Sequence, residues 1–215
     1  MSKSQSKRLL VLGAGGHGKV VADAARASGQ WDEIAFLDDR YPALGRVAAW
    51  PVVGRFADAR ALVTEYPQAA LGVGDNRFRA ELLQTLQSLG FALPAIVHPT
   101  AALSPDARVG SGVVIFAQAV VNIDAVLKDG VIVNSAAVVE HDCQVGTACH
   151  ISPGAALAGG VQVDDLSWIG MGAVVRQGVR IGRHVHVGAG AAVISDVVDG
   201  ETVVGVPAHP MEDKE

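Results

Sequence analysis

The chain has 215 residues and a net charge of −5; half of its residues are hydrophobic but only 5% are aromatic. It has no run of basic residues, which excludes a nucleic-acid footprint, and no apolar stretch near the ~18 residues of a membrane-crossing helix. The polar opening Met1 to Arg8 precedes only Leu9 to Leu12, too short for a signal-peptide core, so the expected location is the cytoplasm.

Lys7 to Leu12 reads as a strand that ends in Gly13-Ala14-Gly15-Gly16-His17-Gly18. A helix follows through Val20, Val21, Ala24 and Ala25 and stops near Gly29. Ile34 to Leu37 is a second strand, ended by Asp38-Asp39. Strand, glycine turn, helix, strand is the opening of a Rossmann-like unit. Its glycines let backbone N–H groups close on an anionic ligand at a helix N-terminus. An acidic residue about twenty positions on is the usual ribose contact, the place of Asp38.

Gly13, Gly15 and Gly18 match G-x-G-x-x-G, which brings a nicotinamide dinucleotide into consideration. His17 is unusual in such a loop, and the unit is short. A third strand at Ala70 to Val73, the turn Gly74-Asp75-Asn76-Arg77 and a helix from Phe78 to Ser88, closed by Gly90, complete only half of that fold. Half a fold suits one nucleotide-linked sugar; a purely structural turn is the third reading. Pro94 and Pro99 bracket a hinge at Ala95 to His98. The expected domains are therefore 1–95 and 96–215.

From Val97 to Val198 the chain runs as seventeen six-residue units without insertion. The first position of each is Val, Ile or Leu, and the fifth is never larger than Val. A period of six fits neither a helix nor a flat strand; it fits a parallel β-helix of hexapeptide repeats. Each unit supplies one short strand and one corner. Three units make a triangular coil of about 18 residues, with coils about 4.8 Å apart. Cys143 and Cys149 fall on the small inward position and read as buried packing thiols. After Val198 the period ends in an irregular tail that could cap the prism or cover a ligand.

Glu140-His141-Asp142 stands out on the prism. His141 takes the third position of its unit, where the pattern asks for no buried apolar group, and an adjacent carboxylate suits a general base. Spacing leaves Glu140 and Asp142 equal as its partner. Gly159 stacks one coil above, and a backbone N–H there could donate to an oxyanion. His150 lies half a coil from His141, on another side, where it could face a neighbouring subunit. Arg176, Arg180 and Arg183 cluster within eight residues and could attract the phosphates of coenzyme A.

Taken in order, Gly13 to Gly18, Phe36-Leu37-Asp38-Asp39, Gly74-Asp75-Asn76, Glu140-His141-Asp142 and Val204-Gly205-Val206-Pro207-Ala208 resemble the hexapeptide-repeat sugar acetyltransferases. That group includes sialic acid O-acetyltransferases and N-acetyltransferases of nucleotide-linked 4-amino-4,6-dideoxy sugars. The resemblance implies an α/β Rossmann-like half-domain followed by an all-β left-handed β-helix, an exception to the right-handed crossover rule. It implies a homotrimer with acetyl-CoA between adjacent prisms, no metal, and a nucleotide sugar, GDP-perosamine first, on the N-terminal domain. By match, His141 is the base and Asp142 raises its basicity. Gly15, Gly16, His17, Asp38, Asp39 and Gly74 fall on the sugar-nucleotide loops, and His150 and Gly159 on acetyl-CoA contacts.

The implied reaction is direct transfer of acetyl to a sugar amine, with no acyl-enzyme. O-acetylation of a sugar hydroxyl and a non-catalytic nucleotide-sugar-binding protein are the other readings. A zinc carbonic anhydrase on the same prism would need two histidines five apart, and the spacings 141/150 and 184/186 do not supply them. The residues leave GDP and UDP equal.

Overall fold

A computed structural model describes residues 7–211. The first six and last four residues of the expected domains lie outside the described residues. The chain opens with β1 (Arg8–Leu12), α1 (Gly16–Ser28) and β2 (Glu33–Leu37). A hairpin follows, β3 (Arg46–Val47) and β4 (Trp50–Gly54), then a 3-10 turn at Phe56–Asp58, α2 (Ala59–Leu62), β5 (Gln68–Leu71) and α3 (Asn76–Ser88). The sheet order is β3-β4-β2-β1-β5, parallel except for β3. Alternation along β1 feeds two cores: Leu9 and Val11 join Val21, Ala22 and Ala25 of α1, and Leu10 and Leu12 join Leu82, Leu83 and Leu86 of α3.

Because β1 lies between β2 and β5, the chain changes direction across the sheet there. The loops leaving β1 and β5 meet at this switch point, where open α/β sheets bind ligands. The third expected strand is found two residues earlier, at Gln68–Leu71, and α3 starts at Asn76 because Asp75 caps it, accepting from the Phe78 N–H at 2.8 Å. The β3–β4 hairpin was not expected.

The segment between Pro94 and Pro99, expected as a hinge, is a rung instead. Ile96–Val97 pairs with Val114–Ile115, and Ile96 is fully buried. Above it, each six-residue unit contributes a two-residue strand, and residues eighteen apart pair in parallel, as Val120↔Val138 and Val138↔Ala156 do. Three sheets result. The first runs from Ala102–Leu103 to Ala192–Val193, the second from Arg108–Val109 to Arg180–Ile181, and the third from Ile96–Val97 to His186–Val187.

First-position aliphatics from Ile115 to Val193 are no more than 2% exposed and form one column with the small fifth positions. Each such side chain contributes roughly 1.5–3 kcal/mol, and only as part of the stack. Ser167 is the polar member of that column; its hydroxyl donates to the Gly182 carbonyl (2.6 Å) and accepts from the Val185 N–H (2.9 Å).

The corners close by a device that the periodicity did not reveal. From Gly112 to Gly190, the fourth position of every unit has a positive φ. Glycine fills many of these positions, but Gln118, Asp124, Ala136, Asp142, Ala148, Leu166 and His184 take the same conformation.

The third sheet carries the N-terminal unit: Ile96, Val114, Phe116 and Ile132 join the α1-side core. At the top, the tail adds Thr202–Val204 and His209–Pro210 to the same sheet. The Gly205 carbonyl accepts from the Ala192 N–H (3.0 Å), and the Ala208 N–H donates to the Ala192 carbonyl (2.8 Å), so the tail also seals the first sheet. Among the described residues no helix is long and apolar enough to cross a membrane.

Candidate active site

His141 sits on the edge between the first and second sheets, after Val138–Val139 and before Gln144–Val145. Its Nδ1 is 2.7 Å from Asp142 Oδ2. A carboxylate only accepts, so Nδ1 carries the proton and Nε2 is the basic nitrogen. The hydrogen bond that His141 donates to Asp142 raises the pKa of His141; slight desolvation opposes this, and the charges of Asp142 and Glu140 add to it. Glu140 is held elsewhere: Asn122 Nδ2, one coil below, donates to its Oε2 at 2.7 Å. The tie that spacing left between the two carboxylates is broken in favour of Asp142.

Gly159 lies one coil above, against the imidazole. A Cβ on it would stand 2.5 Å from both Cε1 and Nε2 of His141. No acceptor among the described residues takes the Gly159 N–H. Basic nitrogen and free donor therefore share one edge. Arg180 lies two coils above Gln144 on the adjoining second sheet, with its side chain exposed. Arg183 is engaged with Asp165 at 3.4 Å.

The N-terminal loops form a second cluster, and their glycines divide by role. A Cβ on Gly18 would collide with the Gly13 carbonyl, and one on Gly13 with Gly72, so these glycines serve packing. A Cβ on Gly15, Gly16 or Gly74 would meet nothing within 4 Å, so these three face open space. Asp38 organises the loop. Its carboxylate accepts from the Ala14 N–H (2.9 Å) and from Arg40 Nε (2.7 Å) and Nη2 (2.9 Å). Arg40 first, then the Ala14 N–H, holds that carboxyl well below the usual range, against the opposing effect of burial. Asp39 accepts from the Phe56 N–H at 3.1 Å.

His17, in the first turn of α1, reaches the prism. It packs edge-on against Phe116 (5.6 Å between ring centroids) and lies 6.3 Å from the ring of His150. His150 points outward from the third sheet but is only 6% exposed beneath the N-terminal unit. Its Nε2 meets Asn134 Nδ2 at 3.0 Å; His150 Nδ1 and His17 Nε2 are buried without a partner. Burial, and then the charge of Arg79, lowers His17 to about 4 and His150 to about 3; for His150, His17 adds a little. Both are neutral imidazoles at neutral pH.

Above His150 the rings of Trp168 and His186 continue the row at 4.4 and 5.8 Å. They help to line a cavity of about 470 Å³ with Asp75, Asn76, Arg77 and His184. Among the described residues no three His, Cys, Asp or Glu side chains are grouped to hold a metal ion. Both cysteines are buried; burial raises Cys143 to about 11 and Cys149 to about 12.

The fold thus brings together His141, Asp142 and Gly159 on one edge. It gathers Gly15, Gly16, His17, Asp38, Asp39, Gly74 and His150 around another side of the same prism. Sequence reading quoted Asn76 only as part of the Gly74-Asp75-Asn76 motif, without a role of its own, and missed Arg40, Arg79 and Trp168. Arg40 directly follows the Asp38-Asp39 pair and could have been found there; the others carried no local signal.

Residues 8–86 match the family model described as PglD N-terminal domain. The acetyltransferase domain of PglB from Neisseria gonorrhoeae FA1090, solved with acetyl coenzyme A, is 47% identical with a TM-score of 0.93, covering 96% of this chain and 100% of that one. PerB from Caulobacter crescentus, solved with CoA and GDP-perosamine, is 38% identical with a TM-score of 0.90, covering 95% and 97%. A UDP-N-acetylbacillosamine N-acetyltransferase of Bacillus subtilis is 34% identical over 117 residues, and the match spans about half (52%) of each chain. With the repeat, the paired histidine and carboxylate, and this likeness along nearly its whole described length, the chain belongs to the hexapeptide-repeat sugar N-acetyltransferases of the PglD and PerB type, built on the left-handed β-helix.

Proposed function

We propose that this protein moves acetyl from acetyl-CoA to the 4-amino group of a nucleotide-linked 4-amino-4,6-dideoxy sugar, GDP-perosamine in the first place. The carrying observation is the Asp142–His141 pair, with Nε2 set against Gly159 and its free N–H. The neutral sugar amine attacks the thioester carbonyl. His141 Nε2 takes the proton from the nitrogen, the Gly159 N–H donates to the oxyanion, and the tetrahedral intermediate collapses to amide and coenzyme A thiolate. His141 then returns its proton to solvent or thiolate. No cysteine enters, in keeping with two buried, inward thiols of raised pKa.

Residues 1–95 act as the nucleotide-sugar-binding domain and 96–215 as the acetyltransferase domain. Gly15, Gly16 and Gly74 leave room for the diphosphate, Arg40 supplies a cation beside them, and Asp38, Asp39 and His17 complete the sugar-nucleotide loops. His150 and Arg180 contact the acetyl donor. The protein works in the cytoplasm, where acetyl-CoA is made available.

The active unit is a homotrimer with sites between subunits. Two observations support this. The base and the glycine loops lie on different sides of one prism, so a single chain does not bring them together. The outward residues of the first sheet are Ala102, Val120, Val138, Ala156, Val174 and Ala192, a face without a single polar side chain.

The test is acetyl transfer followed by free-thiol release, with GDP- and UDP-linked amino sugars in parallel, for wild type and His141→Asn. Turnover with one sugar, lost in the variant, is expected. Undiminished turnover in His141→Asn removes the histidine from its role. Turnover with the UDP sugar alone moves the acceptor to that nucleotide.

A further inference from the structure

Arg79 is one of the most enclosed side chains of the protein, 1% exposed, and among the described residues no carboxylate pairs with it. Its donors go to oxygens instead. Nη1 donates to the Gly74 carbonyl (2.7 Å), on the loop leaving β5. Nε donates to the Gly130 carbonyl (2.8 Å), and Nη2 to the Ala148 carbonyl and to Asn76 Oδ1 (2.7 Å each). Asn76 in turn donates to the carbonyls of Leu166 (3.0 Å) and Ser167 (3.1 Å).

Gly130, Ala148 and Leu166 are the same corner of three successive coils, all at positive φ. Their N–H groups donate to Ser111, Asp129 and Thr147 one coil below, but no backbone N–H takes their own carbonyls. Those carbonyls point out of the prism, under the N-terminal unit. Two residues one helical turn apart on α3 read three rungs of this column. The rigid planar fork of arginine can serve these four differently placed oxygens; an ammonium has three donors on a flexible stem and no such fork.

The same guanidinium therefore touches the open Gly74 loop and the residue pair Ala148-Cys149 that leads directly into His150. We propose that Arg79, aided by Asn76, is a positioning residue that sets the register between the nucleotide-sugar loop and the coils that contact the acetyl donor. The proposal rests on the transferase reading above. A merely stabilising arginine would protect the fold; this one also fixes where the nucleotide-sugar loop stands relative to His150 of the same chain, and so how the sugar amine meets a donor held there. Misplacement by about 1 Å costs about 100-fold in rate without weakening either substrate alone.

The experiment compares wild type, Arg79→Lys, Arg79→Met and Asn76→Ala as full chains. Folding is checked by circular dichroism, affinity for each substrate alone by calorimetry, and kcat at saturation by thiol release. The expected result is kcat lowered by about 30- to 100-fold in the Arg79 variants and about 3- to 10-fold in Asn76→Ala, with both Kd values within about threefold of wild type. An unchanged kcat in a folded Arg79 variant overturns the proposal. So does a loss confined to nucleotide-sugar affinity that saturation restores. If neither Arg79 variant folds, Asn76→Ala decides by the same split. A wild type inactive with every amino sugar overturns the transferase reading first, and the positioning role falls with it.

Discussion

The imidazole of His141 is packed directly against the Cα of Gly159, one coil above it. No side chain fits between them. The contact makes residue 159 a gauge of ring position, and it can be tested without touching the ring. Gly159→Ala introduces no backbone strain of the left-handed kind, because Gly159 is not among the glycines at positive φ. The added methyl pushes the imidazole off its line. We expect an intact fold and a kcat lowered by about 100-fold, measured at saturating substrates. A kcat within a few-fold of wild type would show that ring position is not limiting.

Asp142→Asn separates charge from geometry. Asn tolerates the φ of 60° at this corner, and its amide oxygen can still accept from Nδ1. The negative charge is lost, and with it the charge-assisted strength of the hydrogen bond that chiefly raises the pKa of His141. The base works when neutral, so activity falls as pH drops through its raised pKa. In the variant the acid limb of the kcat/KM profile moves to lower pH, and the plateau drops by about 10- to 100-fold. An acid limb that stays in place assigns it to another group.

His17 and His150 behave in the opposite way. Buried and neutral in the folded chain, they take up protons near 6.5 once unfolded. The unfolded state then binds more protons below that value, so stability falls as pH is lowered through the window from 6.5 toward about 4. Thermal unfolding followed from about pH 7.5 to about pH 5 should show a falling Tm. Imidazole NMR signals give the direct check: His141 titrates with a raised pKa, while His17 and His150 remain neutral throughout. A His150 signal that titrates near neutrality contradicts its enclosure.

Mixing two inactive variants tests whether sites form between subunits. His141→Asn lacks the base, and Gly15→Phe fills the open space over the glycine loop. If each site takes its base from one subunit and its loop from the next, co-expression in equal amounts restores about a quarter of wild-type activity. If base and loop serve from the same chain, the mixture stays dead.

Much of the prism was legible because its period carries a volume rule. An aliphatic at the first position and a small residue at the fifth leave one solution, and a spacing of eighteen by itself places Gly159 over His141. The corner conformation was hidden, since Gln118, Ala136 and Leu166 are not residues that advertise a positive φ. The β3–β4 hairpin was hidden by Pro51, which argues against a central strand and is tolerated here beside the short β3. Arg79 was hidden for a different reason. An arginine on an amphipathic helix reads as solvated until the carbonyls that receive it are known, and those belong to residues 51 and 69 positions away. Half-coil spacing put His150 on a different side of the prism from His141, with a neighbouring subunit as its expected partner; its burial near His17 of the same chain depends on how the two halves of the chain dock.

The tail at Gly205 and Ala208 has a consequence beyond closing one sheet. A stack of parallel coils has no intrinsic length: its last rung offers the same N–H and carbonyl groups that every lower rung offers to the next. Left bare, that rung is a template for another chain, and head-to-tail addition would give a growing filament. By occupying both backbone groups of Ala192, the tail ends the series and makes the prism a particle of fixed size.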